Sequence, residues 1–414
     1  MTLNKEHIAK LRARGFSDEH IQALAHPNGR PAILESLTAE VIQADWLELF
    51  PLMRGQKCGA LLLRFNGKTH SLKPDEPVWN QEESKYAKYL YARRPEGQAK
   101  GQNLQPWLPP VGDAEIITEG MFDALICTEL IGIPCAAATA PSHVKYAELP
   151  DSIHSYVGDA DMLAHHSPSL LPVVISQCGQ KRIKIAHLPR NPQANYAYTG
   201  DKIPENCKWG MEEWAREWER QGLDPKTELR KVIDGAKPPF EYLRSIILKA
   251  MKEYNIDKKR VYVTGLSNGG FMSYRMAHDH SDLITAIVPF AGVGFNRWPS
   301  EPKHPVSVLH IHGTKDRTIK WNGGGIQGSK YPSAEDNFAK WKAFNNCEKK
   351  AGTSKVKIDL DRKVAGAETK VVRFESKDGK VVSELWEVVD GGHVTPPKSD
   401  ARERIIKWML ARSK

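Results

Sequence analysis

The sequence predicts an α/β protein built as two domains. Strand-like apolar runs alternate with helix-length amphipathic stretches from Ala114 onward, the pattern of a mainly parallel sheet. Residues 222–239 interrupt that alternation with glycine, proline and charge. A length of 414 residues exceeds one ordinary domain at roughly 100–200 residues each. The 40% hydrophobic and 26% charged content excludes a disordered chain, and the scattered glycines and prolines exclude collagen. No apolar run approaches the ~20 residues of a membrane span. The residues after Met1 hold no apolar core behind their charges, so a cytoplasmic protein without a secretory signal is expected.

Residues 3–26 read as helical, with Ile8, Leu11, Phe16, Ile21 and Leu24 apolar among charges. Residues 58–65 and 69–72, split by an N-G-K turn, read as a hairpin. Residues 80–110 are polar, Tyr-rich and Pro-containing, hence loop or extended chain. Then follow a strand A-E-I-I-T, a helix over 122–130 stopped by Gly132, and strand I-P-C-A-A-A. Strand H-S-Y-V-G-D-A-D, a helix near 168–178, strand R-I-K-I-A-H-L and an amphipathic helix over 211–221 complete the first half. The second half places helices over 240–254, 269–278, 333–345 and 401–411, and strands R-V-Y-V-T-G, T-A-I-V-P-F-A-G, S-V-L-H-I-H-G and E-L-W-E-V-V.

The net charge of +9 permits contact with nucleic acid but is accounted for by a solvated lysine-rich surface. The six cysteines show no C-x-x-C pair and no zinc spacing. Cys127 and Cys135 lie in apolar stretches and are expected to be buried.

Residues 265–269 fit G-x-S-x-G, with an apolar strand before and a helix after. A turn that lifts a serine above a sheet edge strains the backbone, and glycines two residues either side relieve the crowding. Ser267 is therefore the candidate nucleophile, and the amide of Asn268 a candidate oxyanion donor at the helix start. An alcohol needs a base oriented by a carboxylate. Asp316 follows strand S-V-L-H-I-H-G and His393 follows strand E-L-W-E-V-V, both at strand ends where open α/β sheets gather their sites. His310 and His312 are expected as packing or turn-supporting residues, Asp390 as an alternative acid, and Asp359 and Asp361 as solvated charges.

The blocks R-V-Y-V-T-G-L-S-N-G-G, V-L-H-I-H-G-T-K-D, W-N-G-G-G, P-S-A-E-D-N-F-A-K-W and E-L-W-E-V-V-D-G-G-H resemble the polyhydroxybutyrate depolymerase and feruloyl esterase group of α/β-hydrolases. The resemblance implies a partial α/β-hydrolase domain over 240–414, with Ser267, Asp316 and His393 as a catalytic triad forming an acyl-enzyme on a carboxylic ester, without a cofactor. Its substrates would be small aromatic esters, hydroxyalkanoates or polyesters, with Trp321 and Trp298 lining the acyl site. Members of that group are usually secreted. They also begin with further strands and an H-G-type loop that gives a second oxyanion donor, and nothing like it precedes Phe240. The nucleophile strand is therefore expected at an unpaired sheet edge.

In the first half Glu119 ends one strand, with Asp123 in the helix after it, and Asp159 and Asp161 end another. A glutamate with a D-x-D pair suits Mg²⁺, which prefers oxygen ligands. With K-Y-L-Y-A and K-W-G-M-E-E-W, these motifs resemble the Toprim-like primase-associated proteins of mobile elements. That implies a Toprim-like α/β domain over 1–225, followed by a linker over 226–239. Glu119 would be its acid/base, Asp159 and Asp161 its metal ligands, and nucleic acid its partner, with Lys181, Arg182 and Lys184 a basic run. No P-loop or zinc element accompanies it. The leading expectation is a serine esterase. The alternatives are a Mg²⁺-dependent nucleic-acid protein with a remnant hydrolase half, and an inactive chimera.

Overall fold

The structure, a computed structural model of the chain, describes residues 3–26, 33–65, 68–81, 85–92, 113–138, 149–160, 170–194, 207–326, 329–353 and 358–414. These residues fall into two compact units, Met1–Pro239 and Phe240–Lys414. The protein is α/β in both. Among the described residues, no helix is long and apolar enough to cross a membrane.

The first unit opens with helices α1 (Lys5–Ala13) and α2 (Asp18–Ala25), whose starts are capped by the side chains of Asn4 and Ser17. Strands β1 (Leu34–Leu37), β2 (Ala60–Phe65), β3 (Lys68–Pro74) and β4 (Leu90–Tyr91) pair antiparallel in that order. A second, parallel sheet follows. Strand β5 (Ile116–Thr118) leads into helix α3 (Met121–Leu125), which runs on as a wider turn to Ile131 and stops at Gly132 in the left-handed region, φ 75°. Strands β6 (Cys135–Ala137) and β7 (Ser155–Gly158), helix α4 (Leu170–Lys181) and strand β8 (Lys184–His187) complete it. The strand order is β8-β7-β5-β6, all parallel. Residues of β5, β6 and β7 are buried throughout, so these strands read as short continuous apolar runs rather than alternating ones. Cys127 and Cys135 lie in this core, and all six cysteines are free.

Helix α5 (Met211–Arg220) buries Trp214 and Trp218 against the same core. The expected linker over 226–239 is largely a helix. In α6 (Pro225–Asp234), Asp224 caps the start by accepting from the Thr227 amide at 3.0 Å, and Leu229 and Ile233 enter the first unit's core. Lys237 then bridges to Ile185 of β8. The glycines and prolines that suggest a linker are helix punctuation. Gly222, at φ 73°, follows α5, and Pro225 stands at the first helical position, where its missing N–H has no cost. Leu229 is completely buried, so Leu229→Ala is expected to destabilise the first unit by about 2–5 kcal/mol. Urea unfolding followed by tryptophan fluorescence checks this, and a wild-type midpoint would refute the assignment of α6 to that core.

The second unit is one mixed sheet with helices. It comprises α7 (Pro239–Glu253), β9 (Tyr262–Leu266), α8 (Asn268–Asp279), β10 (Ala286–Phe290) and β11 (Ser307–Gly313), then the small hairpin β12 (Gly324–Ile326) and β13 (Ser329–Tyr331). Helix α9 (Ala334–Phe344), strands β14 (Lys349–Thr353), β15 (Thr369–Glu375) and β16 (Val382–Val388), and helix α10 (Ser399–Leu410) close it. The sheet order is β9-β10-β11-β16-β15-β14, parallel from β9 to β16 and antiparallel beyond. Among the described residues the serine-bearing strand β9 stands at one edge of this sheet, with Leu266 exposed.

The charged stretch before β16 contains strands β14 and β15, which the sequence pattern does not announce. Asp361 is not solvated but completely buried, where its Oδ1 accepts from the Lys363 amide at 2.9 Å. Its own amide donates to Glu368 Oε1 at 2.9 Å. Asp359, by contrast, is half-exposed and paired with Lys398.

Candidate active site

Ser267 stands between β9 and α8 with φ 56° and ψ −116°, a conformation that side chains with a Cβ rarely adopt. What holds it there is the close approach of three glycines. A Cβ on Gly265 would lie 2.5–2.6 Å from the backbone of Gly269, and one on Gly292 would lie 2.6 Å from Ser267 O and Phe271 N. A Cβ on Gly270 would meet Phe290 O at 2.7 Å. The start of α8 is thereby pressed onto the end of β10, and the Ser267 amide donates to Phe290 O at 2.9 Å. Asn268 opens α8, so its amide lies at the positive end of the helix dipole.

Asp316 and His393 come together as the sequence predicts. Asp316 lies just past β11, with its side chain fully buried. His393 follows β16, with its Nδ1 2.8 Å from Asp316 Oδ2. The two strands are parallel neighbours, and their loops are stitched together. The Thr314 amide donates to Val388 O at 3.0 Å and the Lys315 amide to Gly391 O at 2.9 Å. Gly313 permits this approach, because a Cβ there would lie within 2.5 Å of the Gly391 and Gly392 backbone. Gly313→Ala is expected to part the two loops and cost about 1–3 kcal/mol. Thermal unfolding checks this; a wild-type midpoint would show that the loops are not pressed together at this glycine.

Asp316 is over-determined. Its Oδ1 accepts from the amides of Thr318 at 2.8 Å and Ile319 at 2.9 Å. Its Oδ2 also faces His312 Nε2 at 3.3 Å. Burial by itself would raise this carboxyl. The hydrogen bonds from His312, His393 and the two amides outweigh it and hold the group below its ordinary value. Asp390, the alternative acid, is exposed and paired with Lys315 at 3.0 Å, away from this role.

The two strand histidines extend the network inward, in the supporting role expected for them. His312 Nε2 lies 2.7 Å from Ile319 O, His310 Nε2 lies 3.2 Å from His312 Nδ1, and the Tyr274 hydroxyl lies 2.8 Å from His310 Nδ1. Burial, then the neighbouring His312, pushes His310 well below the usual imidazole range, so it is neutral. Sequence reasoning missed Tyr274; a tyrosine one helix away carries no local signal of this contact.

Ser267, Asp316 and His393 all follow the C-terminal ends of parallel strands, Ser267 after β9, with β10 between it and β11. Its hydroxyl makes no hydrogen bond to His393 among the described residues. The Trp321 ring lies 5.7 Å from that of His312. Trp298 does not join the site. It packs with His278, Phe295, Trp341 and Phe344. His278 lies near the far end of α8, roughly 16 Å along the helix from Ser267. Trp298 is therefore a core residue of that end.

In the first unit, Glu119 and Asp159 follow the neighbouring strands β5 and β7. Asp161 lies outside the described residues. Asp123 Oδ1 accepts from the Met211 amide at 3.3 Å, and burial, against that hydrogen bond, pushes its carboxyl up to about 6. A Cβ on Gly210 would lie 3.0 Å from Asp123 and 3.4 Å from Asp159, so the glycine makes room for both acids. Among the described residues, no three acidic, histidine or cysteine side chains converge as a metal set.

No protein-family model matches the chain. It is 29% identical over 163 residues to feruloyl esterase B of Piromyces equi, covering 32% of this chain and 30% of that protein. Over 89 residues it is 36% identical to a bifunctional acetylxylan esterase/xylanase of Neocallimastix patriciarum, covering 22% and 13%. Feruloyl esterase B of Thermothelomyces thermophilus is 23% identical over 172 residues, covering 40% and 53%. Solved structures similar to the chain include an acetyl xylan esterase from Aspergillus awamori, with TM-score 0.29 and 14% identity over 42% of this chain and 68% of that one. A DNA primase domain from Pseudomonas aeruginosa gives TM-score 0.36 and 14% identity over 61% and 77%. In sequence the chain resembles feruloyl and acetylxylan esterases, while spanning only 13–53% of the three curated proteins named.

Proposed function

We propose that residues 240–414 carry a serine carboxylic-ester hydrolase with Ser267 as nucleophile, His393 as base and Asp316 as its orienting acid. The 2.8 Å Asp316–His393 contact, at the C-terminal ends of strands parallel to the one before a strained serine, is the observation that carries this reading. Asp316 fixes the proton on His393 Nδ1, leaving Nε2 to take a proton from the Ser267 hydroxyl as its oxygen attacks the ester carbonyl. The oxyanion so formed faces the start of α8, where the Asn268 amide and the helix dipole favour negative charge. His393 returns the proton to the departing alcohol. The acyl-enzyme is then opened by water that the same histidine deprotonates. The serine–histidine hydrogen bond forms as substrate docks, since such contacts are often long in the free enzyme. Loss of a single oxyanion donor typically costs about 10²–10³ in rate, so the Asn268 amide is expected to matter on that scale.

Among candidate esters, the names of the sequence relatives favour acetyl and feruloyl groups, and Trp321, next to His312, offers a flat apolar wall for an acyl chain. Hydrolysis of p-nitrophenyl acetate and methyl ferulate by the purified chain tests the proposal. Turnover that survives EDTA and is lost in Ser267→Ala supports it. Folded protein that turns over neither ester above the mutant refutes it.

A further inference from the structure

The first unit holds a cavity of about 240 Å³ between α1, the β2–β3 hairpin and the start of α3. Lys10 and Arg14 reach it from α1, one helical turn apart, and Lys73 reaches it from β3. Phe122 forms its floor, with the Arg14 guanidinium 4.7 Å and the Lys73 ammonium 5.0 Å from the centre of that ring. The carboxylate lining the cavity is Asp75, already engaged by His7 Nε2 at 2.7 Å and approached by Lys10 at 4.0 Å. Arg14 also pairs with Glu212, and Lys10 with exposed Glu6. Lys73 is half-buried and makes no ion pair among the described residues. Three cations thus face one cavity whose lining holds a single carboxylate, and of the three Lys73 is the one without an ion-pair partner among the described residues.

We infer that this cavity binds a phosphate monoester dianion, gripped by Lys73, Lys10 and Arg14. A dianion with tetrahedrally arranged oxygens accepts from donors on several sides at once, which a carboxylate does less well. The enclosed volume suits a phosphate with a small attached group rather than a strand. Phe122 gives such a group an apolar contact. Burial, then the charges of Arg14 and Lys10, lower Lys73 to about 8; Glu212 opposes this and Lys88 adds to it. A bound dianion restores full protonation of Lys73, so ligand affinity is expected to fall as pH rises from 7 to 9.

Calorimetric titration of the full chain with inorganic phosphate and phenyl phosphate, with a single-stranded deoxythymidine 10-mer as comparison, tests this. The expected result is salt-sensitive binding of phenyl phosphate, weakened about tenfold or more by Lys73→Met and several-fold by Lys10→Gln. Lys10 is exposed, so its variant folds even where replacement at Lys73 does not. The loss of affinity between pH 7 and 9 is expected to vanish in Lys73→Met. Phosphate and phenyl phosphate that do not bind, or bind equally well to both variants, overturn the inference. Tighter, Lys73-dependent binding of the 10-mer overturns the monoester in favour of a phosphodiester strand.

Discussion

Alanine in place of Ser267 is expected to lower ester turnover by roughly 10⁴–10⁶-fold while leaving the unfolding midpoint of the second unit where it was. The first part follows from the chemistry. Once the hydroxyl is gone, the acyl-enzyme route is closed, and only binding and the helix start remain to help water attack. The second part follows from the backbone. Ser267 keeps φ 56° because Gly265, Gly270 and Gly292 bring α8 onto β10, and an alanine meets the same constraint. Its hydroxyl makes no hydrogen bond to His393 in the free chain, so deleting it leaves no buried group unpaired. A burst of p-nitrophenol under single-turnover conditions separates the two steps: wild type should show one and the variant none. Comparable turnover by both proteins would mean that another nucleophile does the work.

The second large effect is expected for Asp316→Asn, a loss of about 10⁴-fold in kcat near neutral pH. An amide presents either a donor or an acceptor toward His393 Nδ1, and cannot stabilise the imidazolium that forms as Ser267 is deprotonated. Here the change also disturbs the turn, since Oδ1 accepts two backbone amides and Oδ2 faces two histidines. A pH signature distinguishes the charge from the shape. The Asp316 carboxyl is held below its ordinary value in the folded chain. It therefore stabilises the fold fully above about pH 4, the usual carboxylate value, and this contribution drains away as pH falls through the lower folded value. The gap in unfolding midpoint between wild type and Asp316→Asn should be widest at neutral pH and close in acid. A gap that is constant with pH would assign the effect to lost shape alone.

Much of the second unit was legible because its signals are local. Strand S-V-L-H-I-H-G is buried at every position in β11, as expected of a parallel strand covered on both faces, with its two histidines hydrogen-bonded inside. The G-x-S-x-G turn, with a strand before and a helix after, needs no distant residue to be recognised. Misreadings arose where one residue type serves two purposes. Gly222 and Pro225 mark the end and start of helices as readily as they mark a linker, and only the burial of Leu229 and Ile233 shows which. Asp361 sits among lysines and arginines in sequence, yet in the fold it is enclosed, with its carboxylate accepting from the Lys363 amide. Trp298 has the composition of a substrate wall, but its neighbours Trp341 and Phe344 come from α9, about 40 residues away in the chain, and make it core.

By itself, the sequence determined the α/β class, the serine at its strained turn, and the acid and histidine at the ends of two strands, because each is written within a few residues along the backbone. The tertiary structure decided the rest. It selected Asp316 over Asp390, since strand order alone brings β11 beside β16 and sets His393 Nδ1 2.8 Å from one carboxylate and not the other. It linked Tyr274 and the two histidines into one buried chain, and among the described residues it placed β9 at an edge. It also gathered Lys10, Arg14 and Lys73 around one phenylalanine ring. Coulomb and hydrogen-bond energies fall off within a few ångströms, so which groups share a charge or a proton depends on packing between elements far apart in the chain.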